Sequence, residues 1–196
     1  MGEEVKRGAS APEEVLSYWF PEEDIFDADR ETFGRQMQWW FGGGPEVDRH
    51  FSERFGDVLD RARRGVLDSW AQTPRGRLAL IVVLDQFSHN IYRGSPLSYA
   101  QDEKALELAV EGIEAGMDRE LTRMERIFFW MPLGHSEDPA LQEQSVRHAE
   151  QEAAGAPPHL HAEAEFGISQ AGGPRRDSAL WAPPPPQRDT GAHLHS

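Results

Sequence analysis

The stretch "LALIVVLDQFSHNIYRG", Leu78–Gly94, decides the fold. Its first seven residues are apolar without interruption and rich in β-branched side chains, which would also suit a buried strand. A strand needs a partner, and no other segment of the chain offers one. Thr73 and Pro74, just upstream, suit a helix N-cap and its first position. The run therefore reads as a central helix, apolar on all sides because it is packed on all sides. It is also the longest apolar run, and seven residues fall far short of the roughly 20 that a membrane-spanning helix needs.

Outward from this helix, the remaining apolar residues also recur at helical spacing. Ser10 and Glu13 stand in capping-box register ahead of Val15, Leu16 and Trp19. The segment from Pro21 to Pro45 is mixed and ends in three glycines, so it reads as loop with a helical turn. From Pro45, the residues Val47, Phe51, Phe55, Val58, Leu59 and Ala62 line one helical face, and Gly65 suits the stop. Further helices are expected from Asp102 to Gly116, from Thr122 (with Glu125 as capping-box partner) to Pro132, and from Asp138, with Pro139 at the first position. The expectation is an all-α protein of about six helices, with a single helical domain over 10–155. Beyond Gly155 the periodicity fails, and 156–196 reads as an irregular tail containing four consecutive prolines from Pro183.

Composition narrows the partners. The chain has 196 residues, a net charge of −14 and no cysteine. Such an acidic surface repels phosphate backbones and anionic membrane, so neither nucleic acid nor membrane is an expected partner. Thiolate catalysis, disulfides and cysteine-type zinc sites are excluded. The N-terminal "MGEEVKRGAS" lacks the apolar core of a secretory signal, and a cytoplasmic location is expected.

Two polar segments stand out. In "LDQFSHNIYRG", a continuing helix places Gln86, Asn90 and Arg93 on one face and Asp85, His89 and Tyr92 on the neighbouring one. Such a dense polar end to the most buried helix suits either an internal hydrogen-bond network or a pocket whose Arg93 holds an anion bidentately. In "MPLGHSEDPALQEQ", His135, Glu137 and Asp138 are candidates for acid–base work or metal ligation. Asp138 has a helix to cap, however, and Glu137 suits the positive end of the same helix dipole. Their spacing does not match a zinc motif, so neither metal nor cofactor is expected. Arg126 lies in an apolar helix and calls for a carboxylate partner, with Asp85, Glu137 and Asp102 as candidates.

Together "VLSYWF", the segment from Gly65 to Ala109 and "RIFFWMPLGHSEDPALQEQSV" resemble the bacterial family known as domain of unknown function 924, over roughly Pro12 to Val146. Asp85, Gln86, Asn90, Arg93 and Gly94 match the family's D-Q-F-x-x-N-x-x-R-G. Pro132, Leu133, His135, Ser136, Glu137 and Asp138 match its P-L-x-H-S-E-D, followed by Gln142. Ser88 and His89 depart from the usual proline and arginine, which removes one positive charge from the site. The resemblance implies a tetratricopeptide-like helical array, although no repeat of about 34 residues is visible. It implies no reaction.

The resemblance also implies a last helix and an ending F-G-R-F-P-H-R-N, which this chain lacks in frame. Permitted codons for Ser178–Ser196, read one base later, spell RRFGRLPHRNAILGRTST, which is similar to that ending. The tail is therefore expected to be a shifted-frame product. The candidate site is Asp85, Gln86, Asn90, Arg93, Arg126, His135, Glu137, Asp138 and Gln142. Its expected use is to bind a peptide or small anionic ligand. The alternatives are an enzyme with His135 or Asp85 as general base and Arg93 orienting an anionic substrate, and an adaptor with a buried polar network.

Overall fold

The computed structural model describes residues 11–20, 25–155 and 157. The expected irregular tail over 156–196, its reading frame and the capping role of Ser10 lie outside these residues. The protein is all-α. Its helices are α1 (Pro12–Trp19), α2 (Arg30–Phe41), α3 (Pro45–Arg63), α4 (Pro74–Val82), α5 (Ser88–Ile91), α6 (Asp102–Glu114), α7 (Arg123–His135) and α8 (Pro139–Ala154). Among the described residues there is no strand, and no helix is long and apolar enough to cross a membrane.

The helix boundaries follow from local backbone chemistry. Thr73 accepts the Gly76 N–H through its hydroxyl, and Pro74 fills the first position of α4. At the end of α3, Gly65 takes the left-handed conformation at φ 76°. Its N–H then reaches the Ala62 carbonyl while the Val66 N–H reaches that of Arg61, the paired bonds of a Schellman motif. Thr122 and Glu125 form the reciprocal capping box of α7.

Two expectations are corrected. The segment before Pro45 holds a full helix, α2, because Asp29 accepts the Thr32 N–H and Phe33, Met37 and Trp40 bury one face of it. The glycines that suggested loop lie just beyond its last turn. Helix α7 does not stop at Pro132 but runs on to His135. Proline removes a single intrahelical donor, and the turn around it (Met131–Gly134) is buried, so packing holds the helix through the defect.

Helix α4 lies at the centre, in contact with α1, α6 and α7, and Leu78 through Leu84 are all buried. One turn of π-helix, Val83–Phe87, continues α4 into α5 and packs on α3 and α6. Around it the aromatic residues Trp19, Phe51, Phe55 and Phe87 interlock at ring separations of 4.5–5.9 Å. At the C-terminal end of the central helix, Asp85, Gln86, Ser88 and Asn90 bring buried polar groups into this apolar interior.

Candidate functional site

The π turn carries Asp85 into the interior, where its carboxylate is 1% exposed. Asp85 Oδ1 accepts a hydrogen bond from His135 Nδ1 at 2.7 Å, joining the end of the central helix to the last turn of α7. Oδ2 accepts one from Gln86 Nε2 at 2.7 Å, and the same amide contacts Met131 Sδ at 3.1 Å. His89, one turn beyond Asp85, places Nε2 3.0 Å from Asp102 Oδ1 and 3.8 Å from Asp85 Oδ1. The two imidazoles lie 5.2 Å apart, centroid to centroid. Asp85 and Asp102 are buried while the rings are partly open, so the cluster presents two imidazoles backed by two carboxylates.

The electrostatics favour an ionised Asp85. Burial pushes its pKa up, but the charge and hydrogen bond of His135, with His89 and Gln86, outweigh that and hold it down at about 2. No lysine or arginine bonds to Asp85 among the described residues. The compensation comes from imidazole and amide groups alone.

The other face of the same helix leads elsewhere. Asn90 Nδ2 donates to the Gln86 carbonyl at 3.1 Å, and Arg93 Nη2 donates to Asn90 Oδ1 at 2.5 Å. Arg93 Nε donates to Asp48 Oδ2 on α3 at 2.8 Å. Gly43, at φ 58°, lies against this guanidinium, where a Cβ would come within 2.8 Å of Nη2. A chain of polar contacts thus runs from Asp48 through Arg93, Asn90, Gln86 and Asp85 to His135, but Arg93 does not touch His135.

The remaining predicted residues lie apart from the cluster. Arg126 pairs with Glu152 of α8 through two bonds of 2.7 and 2.8 Å, rather than with Asp85, Glu137 or Asp102. Glu137 and Asp138 are exposed, and Asp138 caps α8 by accepting the Ala140 N–H at 2.8 Å. Gln142 donates to the Ser136 carbonyl at 2.6 Å, tying the start of α8 to the end of α7. Arg126 and Gln142 thus join α7 to α8 and Asp138 caps α8, and of the second motif His135 alone enters the cluster.

Sequence reasoning left His89 and Asp102 out of the site. The i, i+4 spacing of Asp85 and His89 on the neighbouring helical face was the available signal. No local pattern points to Asp102, which reaches the site only because α6 packs on the π turn.

The profile of a family described as "Bacterial protein of unknown function (DUF924)" matches residues 15–171. The solved structure of a protein of unknown function from Agrobacterium tumefaciens is similar at a TM-score of 0.61 and 28% identity, over 81% of each chain. No curated protein matches.

Proposed function

The chain belongs to the DUF924 family of bacterial proteins of unknown function, and from that premise we propose that it is an enzyme whose reaction centre is the Asp85–His135 pair. The observation that carries this reading is the 2.7 Å bond from His135 Nδ1 to a carboxylate that is 1% exposed. Such a bond orients the ring and fixes the neutral tautomer with its proton on Nδ1, which makes Nε2 the basic atom. When Nε2 takes a proton from a small ligand or from water, the resulting imidazolium faces an ionised carboxylate and is stabilised by it. His89, held by Asp102, stands beside it as a second proton carrier.

A second reading, a binding module for a peptide or small anionic ligand in a tetratricopeptide-like array, draws on Arg93. Its side chain is 42% exposed, and Nη1 has no hydrogen-bond partner among the described residues. An anion would be received there, at the opposite end of the polar chain from His135.

The two readings separate in a turnover screen. A library of small metabolites incubated with the protein in deuterated water is scored by mass for deuterium uptake or bond cleavage. Conversion that disappears in both His135→Gln and Asp85→Asn supports the enzyme. Conversion undiminished in His135→Gln rules it out. Binding without conversion, abolished by Arg93→Ala, establishes the second reading instead.

A further inference from the structure

We propose that Asp85, His89 and His135 together hold a divalent transition-metal ion. The inference rests on reading this cluster as the reaction centre and names its cofactor. One ligand atom from each residue lies within 4.8 Å of the other two. The closest approaches are 2.7 Å for Asp85 Oδ1 to His135 Nδ1 and 3.8 Å for Asp85 Oδ1 to His89 Nε2. Ligands about 2 Å from an ion at tetrahedral angles lie roughly 3.3 Å apart. The observed separations, from 2.7 Å to at most 4.8 Å, bracket that spacing.

Three features favour a cation over a purely hydrogen-bonded cluster. Asp85 is buried without any lysine or arginine against it, and Asp102, also buried, lies 3.0 Å from His89 Nε2. Two buried carboxylates set against the same pair of imidazoles are a place where a divalent ion offsets charge in the interior. Gln86 holds Asp85 Oδ2, leaving Oδ1 directed at the two rings, as an outer-sphere partner orients a monodentate ligand. Finally, Asp85 sits within a single π turn inside a long helix, an irregularity found frequently at functional sites.

The donor set identifies the class of ion. Two imidazole nitrogens and one carboxylate oxygen suit zinc, cobalt or ferrous iron, whereas calcium and magnesium seek all-oxygen surroundings. Three protein ligands leave a position for water, whose pKa a bound zinc lowers to about 7. With such an ion bound, that water would supply a hydroxide near neutral pH and His135 would serve as a ligand, while in the ion-free chain His135 remains the base. Asp102 contacts the same His89 nitrogen in the ion-free cluster, so an ion bound there would take its place at that nitrogen.

The test uses the full chain, stripped with a chelator and titrated with Co²⁺, followed by displacement with Zn²⁺. One Co²⁺ per chain is expected, with visible absorption bands that Zn²⁺ abolishes. His89→Gln and His135→Gln should each weaken binding at least about tenfold, while His50→Gln, on the exposed side of α3, should leave it unchanged. Circular dichroism checks that each variant is folded, and the partly exposed His89 keeps the test valid if Asp85→Asn is not. Bands that persist in both histidine variants, or no submillimolar binding of either ion, overturn the assignment. Metal binding without any turnover would leave the metal site standing and remove the enzymatic reading. Turnover by the stripped chain with no metal binding would do the reverse.

Discussion

Replacing Asp85 by asparagine tests the energetics of the buried cluster. The side chain keeps its shape and loses its charge, so the comparison isolates what the carboxylate contributes. Its pKa falls from 3.8 to about 2 in the folded protein, against burial and through His135, His89 and Gln86. At 1.36 kcal/mol per unit, that corresponds to about 2 kcal/mol of stability at neutral pH. The sign follows from the direction of the shift. A depressed carboxylate stabilises the fold above its unfolded pKa, and the contribution fades as pH falls from about 4 toward about 2. Asparagine also presents an amide N–H where the wild type accepts bonds from both His135 and Gln86, so one of those donors loses its acceptor. The variant should therefore be less stable by about 2–3 kcal/mol at pH 7, a fall in Tm of roughly 4–12 °C for a chain of this size. The assay is urea unfolding followed by tryptophan fluorescence, in a chelating buffer so that metal linkage adds nothing. The gap between wild type and variant should narrow steadily below pH 4. A gap under about 0.5 kcal/mol at pH 7, or one that stays constant down to pH 2, would refute the reasoning.

Three further outcomes can be checked by the same unfolding assay. Arg126→Ala removes a bidentate pair that joins α7 to α8 and leaves Glu152, itself 14% exposed, with only the more distant Arg123 and His148 at 3.8 Å; the loss should be about 2–3 kcal/mol, with part recovered in the double variant with Glu152→Ala. Arg93→Ala should cost only about 1 kcal/mol, because the guanidinium is 42% exposed and its ion pair with Asp48 is screened by solvent; a loss above about 3 kcal/mol would make Arg93 a core residue. Gly112→Ala should destabilise by about 1–3 kcal/mol, since a Cβ there comes within 2.5 Å of Phe129 Cζ and 2.7 Å of Arg77 Cδ.

What could be read from the sequence was whatever local chemistry determines. Thr73 with Pro74, Gly65, Gly116 and the Thr122–Glu125 box each act within a turn of the backbone, and each appears where the sequence indicates. Helix α2 was obscured because Gly34 and the three glycines after Phe41 weaken its pattern. Its buried face of Phe33, Met37 and Trp40 decides the matter only once there is a core to pack against. The partner of Arg126 lies 26 residues away and that of His135 50 residues away. No periodicity encodes such pairings, which arise from how α7 packs on α8 and on the central helix.

The two departures from regular helix meet at the same place. Helix α7 continues through Pro132, which brings His135 to its last turn, and the π turn around Asp85 breaks the regular course of the central helix. Each departure is locally unfavourable, since proline forfeits a backbone bond and a π turn is rarely adopted. Packing alone would have been satisfied by a regular helix with an apolar residue at position 85, because every neighbour from Leu78 to Leu84 is buried and apolar. A buried carboxylate and a proline-bearing helix end that converge to 2.7 Å are better explained by what they form together than by either helix alone. The product is an ionised carboxylate held against an imidazole, with a second imidazole 3.8 Å from the same oxygen. Proton transfer through His135 and metal ligation by the same three residues both draw on these groups, whereas a hydrophobic core needs none of them.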